Sequence, residues 1–196
     1  MKKFIFAMVL LVGLSAPAWG DFEAGLMAYR NAHFKEAFRS WMPLAIEGDA
    51  RAQFYLGEMH VDGMGMPVSL DKAVRFYRQA AEQEHPGAQA RLGMLHAKGR
   101  GLPQNYAKAF AWYRRAAILG DLDAQYRLAF LFEAGQGTQP SLYHAFKWWA
   151  IAARWGDPYA AEERDRIKAR LSAKALDSLQ QQVTLWRSSV GDIYSY

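Results

Sequence analysis

Ala52-Gln53, Leu56-Gly57, Gly63-Met64-Gly65, Lys72-Ala73, Phe76-Tyr77 and Ala80-Ala81 stand at offsets that recur twice further along the chain. Thirty-six residues on come Ala88-Gln89, Leu92-Gly93, Gly99-Arg100-Gly101, Lys108-Ala109, Trp112-Tyr113 and Ala116-Ala117. A further thirty-six give Ala124-Gln125, Leu128-Ala129, Gly135-Gln136-Gly137, His144-Ala145, Trp148-Trp149 and Ala152-Ala153. A fixed period of this size, with small and aromatic residues in register, is the mark of a stacked helical array. Such arrays display a surface rather than enclose a reaction site.

Each unit reads as two helices. Apolar residues at 3–4 spacing (Ala52, Leu56, Met59 and His60; then Ala73, Phe76-Tyr77 and Ala80-Ala81) give each helix one buried stripe. The spacing predicts a first helix, A, over about 49–61, 86–97 and 122–134, and a second, B, over about 69–84, 105–119 and 141–155. Ser69, Asn105 and Ser141 fall just before helix B, where a side-chain oxygen can accept from unpaired backbone N–H groups. Pro67 and Pro103 stiffen the approach. Gly57 and Gly93 sit mid-helix, which costs about 1 kcal/mol each relative to alanine. Close helix approach is the expected compensation, and Ala129 fills the same place in the third unit. The Gly-x-Gly segments belong between the helices, where left-handed backbone is expected. No strand precedes them and no Gly-Lys-Ser/Thr follows, so they do not read as phosphate loops.

Before the array, Lys2-Lys3, the apolar run Phe4–Leu14 and the small residues Ala16, Ala18 and Gly20 form a secretory signal peptide pattern. The apolar run is short for a membrane span. Cleavage is expected after Gly20 or Ala18, leaving a chain with no stable membrane insertion, in the periplasm or secreted. There is no cysteine, which excludes disulfides, thiolate metal sites and a cysteine nucleophile. The formal charge of +5 falls to +3 once Lys2 and Lys3, the only charges of residues 1–20, are removed. No long basic block occurs, and no nucleic-acid role is expected.

These residues resemble the Sel-one-like repeat, a relative of the tetratricopeptide repeat with a longer turn. The family pattern is approximately Ala-x-x-x-Leu-Gly-x-x-Tyr-x-x-Gly-x-Gly, then Lys-Ala-x-x-Trp/Tyr and a paired alanine. Here its helix A tyrosine becomes His60, His96 and Phe132, and its lysine becomes His144 in the third unit. The resemblance implies an all-α fold: a right-handed α-solenoid of stacked helix pairs that works as an adaptor for protein or peptide partners, with no cofactor. The organisation read from it is a signal peptide (1–20), a degenerate leading unit (21–48), three repeats (49–84, 85–120, 121–156), a closing helix pair (157–187) and a tail (188–196). In the leading unit Ala37, Trp41 and Ala45 match Ala73, Tyr77 and Ala81, with a shortened turn near Asn31-Ala32-His33. In the closing pair, Ser172 is expected to cap a helix whose buried stripe holds Leu179, Val183 and Trp186, with Gln180, Gln181 and Gln182 facing solvent. Some cysteine-rich relatives are associated with penicillin binding or β-lactam hydrolysis, but this chain lacks their cysteines.

Candidate chemistry is sparse. His60 and His96 occupy equivalent places one unit apart. Neighbouring helices stack on the order of 10 Å apart, too far for two ligands each about 2 Å from one zinc. Packed aromatic rings with a satisfied nitrogen are the expected roles. No His-Glu-x-x-His or Gly-x-Ser-x-Gly occurs. Glu162, Glu163 and Asp165 read as a solvated face. Most tryptophans fall at core offsets, with Trp148 and Trp155 expected to be partly exposed. In tetratricopeptide-like stacks helix A lines the concave face. The helix A positions off the core stripe are Tyr55, Glu58, Arg91, Met94, Arg127 and Phe130. Two arginines among apolar side chains suit an acidic or C-terminal peptide, because arginine pairs carboxylates bidentately and aromatic and Met side chains are enriched at interfaces. The sequence thus points to a non-enzymatic envelope adaptor. An envelope enzyme acting on cell-wall glycan or β-lactams, and a structural spacer, remain open beside it.

Overall fold

The structure, a computed structural model, describes residues 22–179, 181 and 183. The expected signal peptide, the tail, and Gln180, Gln182 and Trp186 of the closing segment lie outside these residues. Among the described residues the helices run, in order, α1 (Phe22–Arg30), α2 (Phe34–Glu47), α3 (Ala50–Asp62), α4 (Leu70–Glu82), α5 (Pro86–Lys98), α6 (Tyr106–Ile118), α7 (Leu122–Ala134), α8 (Leu142–Ala153) and α9 (Pro158–Lys168). Residues 173–179 are also helical. Each helix packs on the next, so A and B helices alternate through a stack of pairs, as expected of an all-α solenoid.

The repeat period is physical as well as sequential. Ser69, Asn105 and Ser141 accept from the N–H groups of Lys72, Lys108 and His144 and start each helix B. Helix A has its own periodic caps. Asp49, His85, Asp121 and Asp157 stand thirty-six residues apart and accept from the N–H groups of Ala52, Ala88, Ala124 and Ala160. The turn closes the same way each time. Ser69, Asn105 and Ser141 donate backbone N–H to the carbonyls of His60, His96 and Phe132 at 2.8, 2.9 and 2.7 Å.

The two glycines of each Gly-x-Gly have separate tasks. Gly63, Gly99 and Gly135 end helix A in the left-handed conformation. Gly65, Gly101 and Gly137 press the turn against the start of the preceding helix B. A Cβ there would lie 2.8 Å from Phe34 Cβ, 2.8 Å from Leu70 Cβ and 2.2 Å from the Tyr106 carbonyl oxygen. Tight stacking therefore requires glycine at this position.

Gly57 and Gly93 meet the expectation of close approach. A Cβ on Gly57 would fall 2.5 Å from the Tyr77 ring, and one on Gly93 2.8 Å from the Tyr113 ring. The helix B aromatic of the same repeat lies flat over the glycine. In the leading pair Gly25 does this for Trp41, at 2.3 Å. Its spacing to Trp41 is four residues shorter than Gly57 to Tyr77, because the α1–α2 turn is shorter by four.

The periodic Gln53, Gln89 and Gln125 are buried staples. Their side-chain amides donate to the carbonyls of Ala45, Ala81 and Ala117 at 3.0, 3.1 and 3.2 Å. Those carbonyls belong to the last turn of the preceding helix B, where the i+4 donor is missing and the turn N–H groups of Gly48, Glu84 and Gly120 supply only short i+3 bonds. The closing segment follows the expected pattern where it is described. Ser172 accepts from the Ala175 N–H at 3.3 Å, Leu179 is fully buried, and Leu176 and Val183 pack against the last core cluster.

Candidate functional site

Glu58 and Arg91 define the side of the stack formed by the A helices. Arg91, on α5, donates to both carboxylate oxygens of Glu58, on α3, at 2.8 and 2.7 Å. The Tyr77 hydroxyl of α4 donates to the same carboxylate. One acid thus links its own helix B to the next helix A. Burial and the Glu58 carboxylate push the Tyr77 hydroxyl well above its ordinary pKa, while the hydrogen bonds it donates to Glu58 raise that of Arg91. A second assembly of this kind closes the array. Trp149 donates to Glu133 at 3.2 Å, and Arg166 of α9 donates to Glu133 at 2.9 and 2.8 Å and to Glu163 at 2.6 Å. Glu163 is therefore half-buried in an ion-pair network rather than solvated, whereas Asp165 is exposed and pairs with its half-buried neighbour Arg164.

The six helix A candidates do not form one groove of equivalent residues. Arg91 is engaged by Glu58 rather than standing free. Tyr55 packs in an aromatic cluster, stacked 4.7 Å from Trp41 and 5.8 Å from Phe22. Met94 is half-buried and touches two core clusters. Arg127 and Phe130 remain outward. Arg127 reaches only Asp123, four residues earlier on its own helix, at 3.3 Å with both side chains about half exposed. Phe130 is 41 % exposed, and its ring meets Trp149 edge-on at 5.0 Å. Tyr159, also exposed, lies 5.8 Å from the same indole. Tyr126, Phe130 and Tyr159 thus surround Trp149 at the C-terminal end of the helix A face, with Arg127 on the same helix as Phe130.

His60 and His96 are buried rings, as expected. His60 stacks on Phe76 at 5.7 Å, and His96 places Nδ1 3.4 Å from the Pro103 carbonyl. The expected satisfied nitrogen is found at His96 but not at His60, whose buried Nδ1 has no partner. Burial holds both imidazoles below their ordinary pKa. Among the described residues no cluster of His, Asp or Glu is arranged to hold a metal ion. Trp155 is exposed as expected, but Trp148 is buried at 8 %, because α8 is enclosed on more sides than the earlier B helices.

A cleft lies on the side of the stack formed by the B helices α2 and α4. Lys35, Phe38, Arg39 and Met42 share one face of α2, and Lys72, Arg75, Phe76 and Gln79 the matching face of α4. These faces wall a cleft of about 650 Å³ floored by His60 and Met66. Its signal was legible as two Lys-led runs at 3–4 spacing, each carrying an arginine and a phenylalanine.

The sequence pattern of the Sel1 repeat matches residues 50–85, 86–121 and 122–157, which is more than half of the chain. The chain belongs to the Sel1 repeat family. A Sel1 repeat protein from Oxalobacter formigenes is similar in structure, with a TM-score of 0.71 and 29% identity over 74% of this chain and 59% of that one. A protective antigen of uropathogenic Escherichia coli with an SLR fold gives a TM-score of 0.59 and 21% identity, covering 85% of this chain and 44% of the antigen. Helicobacter pylori cysteine rich protein B gives 0.51 and 23%, covering 61% of this chain and 92% of its own. The chain thus spans roughly half the length of the first two. No curated protein matches the sequence. Sel1 repeat proteins are in general protein-interaction scaffolds, which agrees with a fold whose exposed faces are its principal feature.

Proposed function

We propose that this Sel1 repeat protein is a non-enzymatic adaptor of the bacterial envelope, exported to the periplasm, that binds a partner protein or peptide on its helix A face. The observation that carries the binding reading is Phe130. A large aromatic ring is exposed beside Trp149, with Arg127 held only by a neighbour on its own helix. An apolar anchor beside a cation suits a peptide that presents a bulky side chain next to a carboxylate. Burial of aromatic anchors supplies much of the affinity at such interfaces, and charge sets encounter and orientation. Met94 extends the apolar surface one repeat towards the N-terminus. Arg91, Glu58 and Tyr55 shape the wall rather than contact the partner directly. Export rests on Lys2-Lys3, the apolar run and the small residues before Asp21.

The binding test is affinity capture from the native envelope with the parent, with Phe130→Ser/Arg127→Glu, and with Lys168→Glu/Lys174→Glu as charge-matched control. One stoichiometric partner retained by parent and control, lost by the first variant and rebound after purification, is the expected result. Equal recovery by all three rejects the helix A face. Export is checked by mass spectrometry of the periplasmic protein, which should start at Asp21 or Trp19. An intact Met1 in the cytoplasm rejects it.

A further inference from the structure

The charge of this chain is segregated by helix type. The B helices α2, α4, α6 and α8 carry nine Lys and Arg against four Asp and Glu, whereas the A helices carry eight of each. The excess is concentrated in the α2–α4 cleft. Lys35 and Arg39 stand on one wall, Lys72 and Arg75 on the other, and no acidic residue lines it. All four cations are exposed, and none forms an ion pair among the described residues. The four acids of α2 and α4 lie off the lining. Glu36 turns instead to His33.

Between the cations the cleft is apolar. Phe38, Met42, Met66 and Phe76 are each half-buried, and His60, stacked on Phe76, closes the floor. Methionine adapts its shape to an incoming side chain. The architecture of the repeat produces this space. Helix A of the first repeat packs against both α2 and α4, but those two B helices make no extensive contact with each other. The gap is bounded at one end by the Gly65-Met66 turn, held against Phe34. Between α6 and α8 the corresponding gap is smaller, about 290 Å³, and Trp148, Phe132 and Ile118 line it with Arg114 and Lys147. The α2–α4 cleft is thus the larger of the two and carries four free cations, two from each wall.

We propose that the α2–α4 cleft is a second docking site, which takes an acidic peptide segment of a partner protein with a bulky apolar side chain at its centre. The apolar side chain enters between Phe38 and Phe76 above His60, and flanking carboxylates meet Lys35 and Arg39 on one side and Lys72 and Arg75 on the other. Charge complementarity names the occupant. Four unpaired cations on two facing helices favour a ligand with carboxylates on both sides of its anchor, and Arg39 and Arg75 can each hold one bidentately. The apolar groups are recessed below the cations. A flat anionic lipid surface would meet the cations and leave the recess unfilled. An inserted peptide side chain fills it.

The test uses the full mature chain and an array of fluorescein-labelled octapeptides. In each, three acidic residues flank either side of a central pair drawn from Leu, Met, Phe and Trp. Matched peptides carry a central Ser-Ser or lysines in place of the acids. Saturable anisotropy is expected for acidic peptides with apolar centres, at least tenfold weaker with Ser-Ser, absent with lysines, and declining with salt. Arg39→Glu/Arg75→Glu should weaken it at least tenfold, and Lys168→Glu/Lys174→Glu should not. A benzophenone at the central position should crosslink to α2, α4, His60 or the Gly65-Met66 turn. No saturable binding by any array member, equal binding of the Ser-Ser peptides, or crosslinks only to A-helix residues other than His60 overturns the proposal. So does sensitivity to Arg39→Glu/Arg75→Glu seen only with phosphatidylglycerol vesicles, which assigns the cleft to lipid. Because capture through Phe130 is scored with a different variant, either site can fail while the other stands.

Discussion

Arg91 reaches back thirty-three residues to grip Glu58 with two hydrogen bonds, and Arg166 does the same to Glu133. The two clamps are not at equivalent repeat positions. Their helix B partners, Tyr77 and Trp149, are equivalent, but the acid and arginine of the second clamp have moved one helical turn towards the C-terminus. The middle junction has no such clamp. Met94 stands where Glu58 would recur, so Arg127 turns to Asp123 instead.

This difference predicts a restorable ion pair. Met94→Glu should place a carboxylate before Arg127 as Glu58 stands before Arg91, with the Tyr113 hydroxyl as second donor. The variant also loses the packing of Met94 on two clusters, so its net stability is not the informative quantity. A double-mutant cycle of Met94→Glu with Arg127→Ala isolates the new interaction. Urea unfolding should give a favourable coupling of about 0.5–1 kcal/mol, the size of a partly exposed pair. Zero coupling would mean that the middle junction is spaced differently from the first.

At Gly93 propensity and packing pull in opposite directions. Alanine should gain about 1 kcal/mol of helix propensity. Its Cβ, however, would stand 2.8 Å from the Tyr113 ring, which is itself nearly fully buried and has no room to retreat. Overpacking of this kind costs about 1–3 kcal/mol. Gly93→Ala should therefore lower the melting temperature, and Gly93→Leu should lower it further, both with helical circular dichroism retained before melting. A raised melting temperature for the alanine variant would show that Tyr113 can shift.

The repeats were legible because stacking imposes the same contact every thirty-six residues. Glycine under a ring, a cap before helix B and an alanine pair each have one local cause. The non-local pairings were not legible. Arg91 looked like a free cation because its acid lies on another helix, and the 3–4 spacing rule does not cross between repeats. Trp148 looked partly exposed because the enclosure of α8 depends on its neighbours rather than its own pattern. The two Lys-led runs that wall the α2–α4 cleft are visible in the sequence, but the cleft is not, because each wall, taken alone, reads as an ordinary solvated helix face.

Gln125 offers a test of the buried staple. It is fully buried and donates to the Ala117 carbonyl at 3.2 Å. Leucine would keep most of the volume but leave that carbonyl without its side-chain donor. The carbonyl keeps the Gly120 N–H at 3.2 Å, so the loss is that of one hydrogen bond, about 0.5–1.5 kcal/mol net. Gln125 also has a side-chain oxygen with no partner, and its removal recovers part of that cost. Gln125→Leu should therefore destabilise by about 0.5–1 kcal/mol on urea unfolding. Gln53 has its oxygen satisfied by Gln83 at 2.9 Å, so Gln53→Leu should cost more. The reverse order would reject the staple as the reason for the periodic glutamine.

Acid should loosen the array before its carboxylates titrate. His60, His85 and His96 all have pKa values lowered from 6.5, with burial as the largest cause. The unfolded chain therefore binds more protons than the folded one as pH falls below about 6.5, and stability declines with falling pH over that window. His85 adds a specific cause. Its Nδ1 accepts the Ala88 N–H at 3.2 Å and caps α5 where the other repeats use aspartate. A protonated imidazole has no lone pair left to accept with. His85→Asp should keep a cap at pH 5 while losing the stacking of the imidazole on Phe54 at 4.7 Å. The variant should thus be closest to the parent in stability, or above it, at pH 5 and relatively weaker at pH 8. His60→Phe with His96→Phe, which copies Phe132 of the third repeat, should flatten the decline further. Urea unfolding at pH 8, 6.5 and 5 measures both. A parent whose stability is unchanged from pH 8 to pH 5 would show that these imidazoles stay equally easy to protonate in the folded chain.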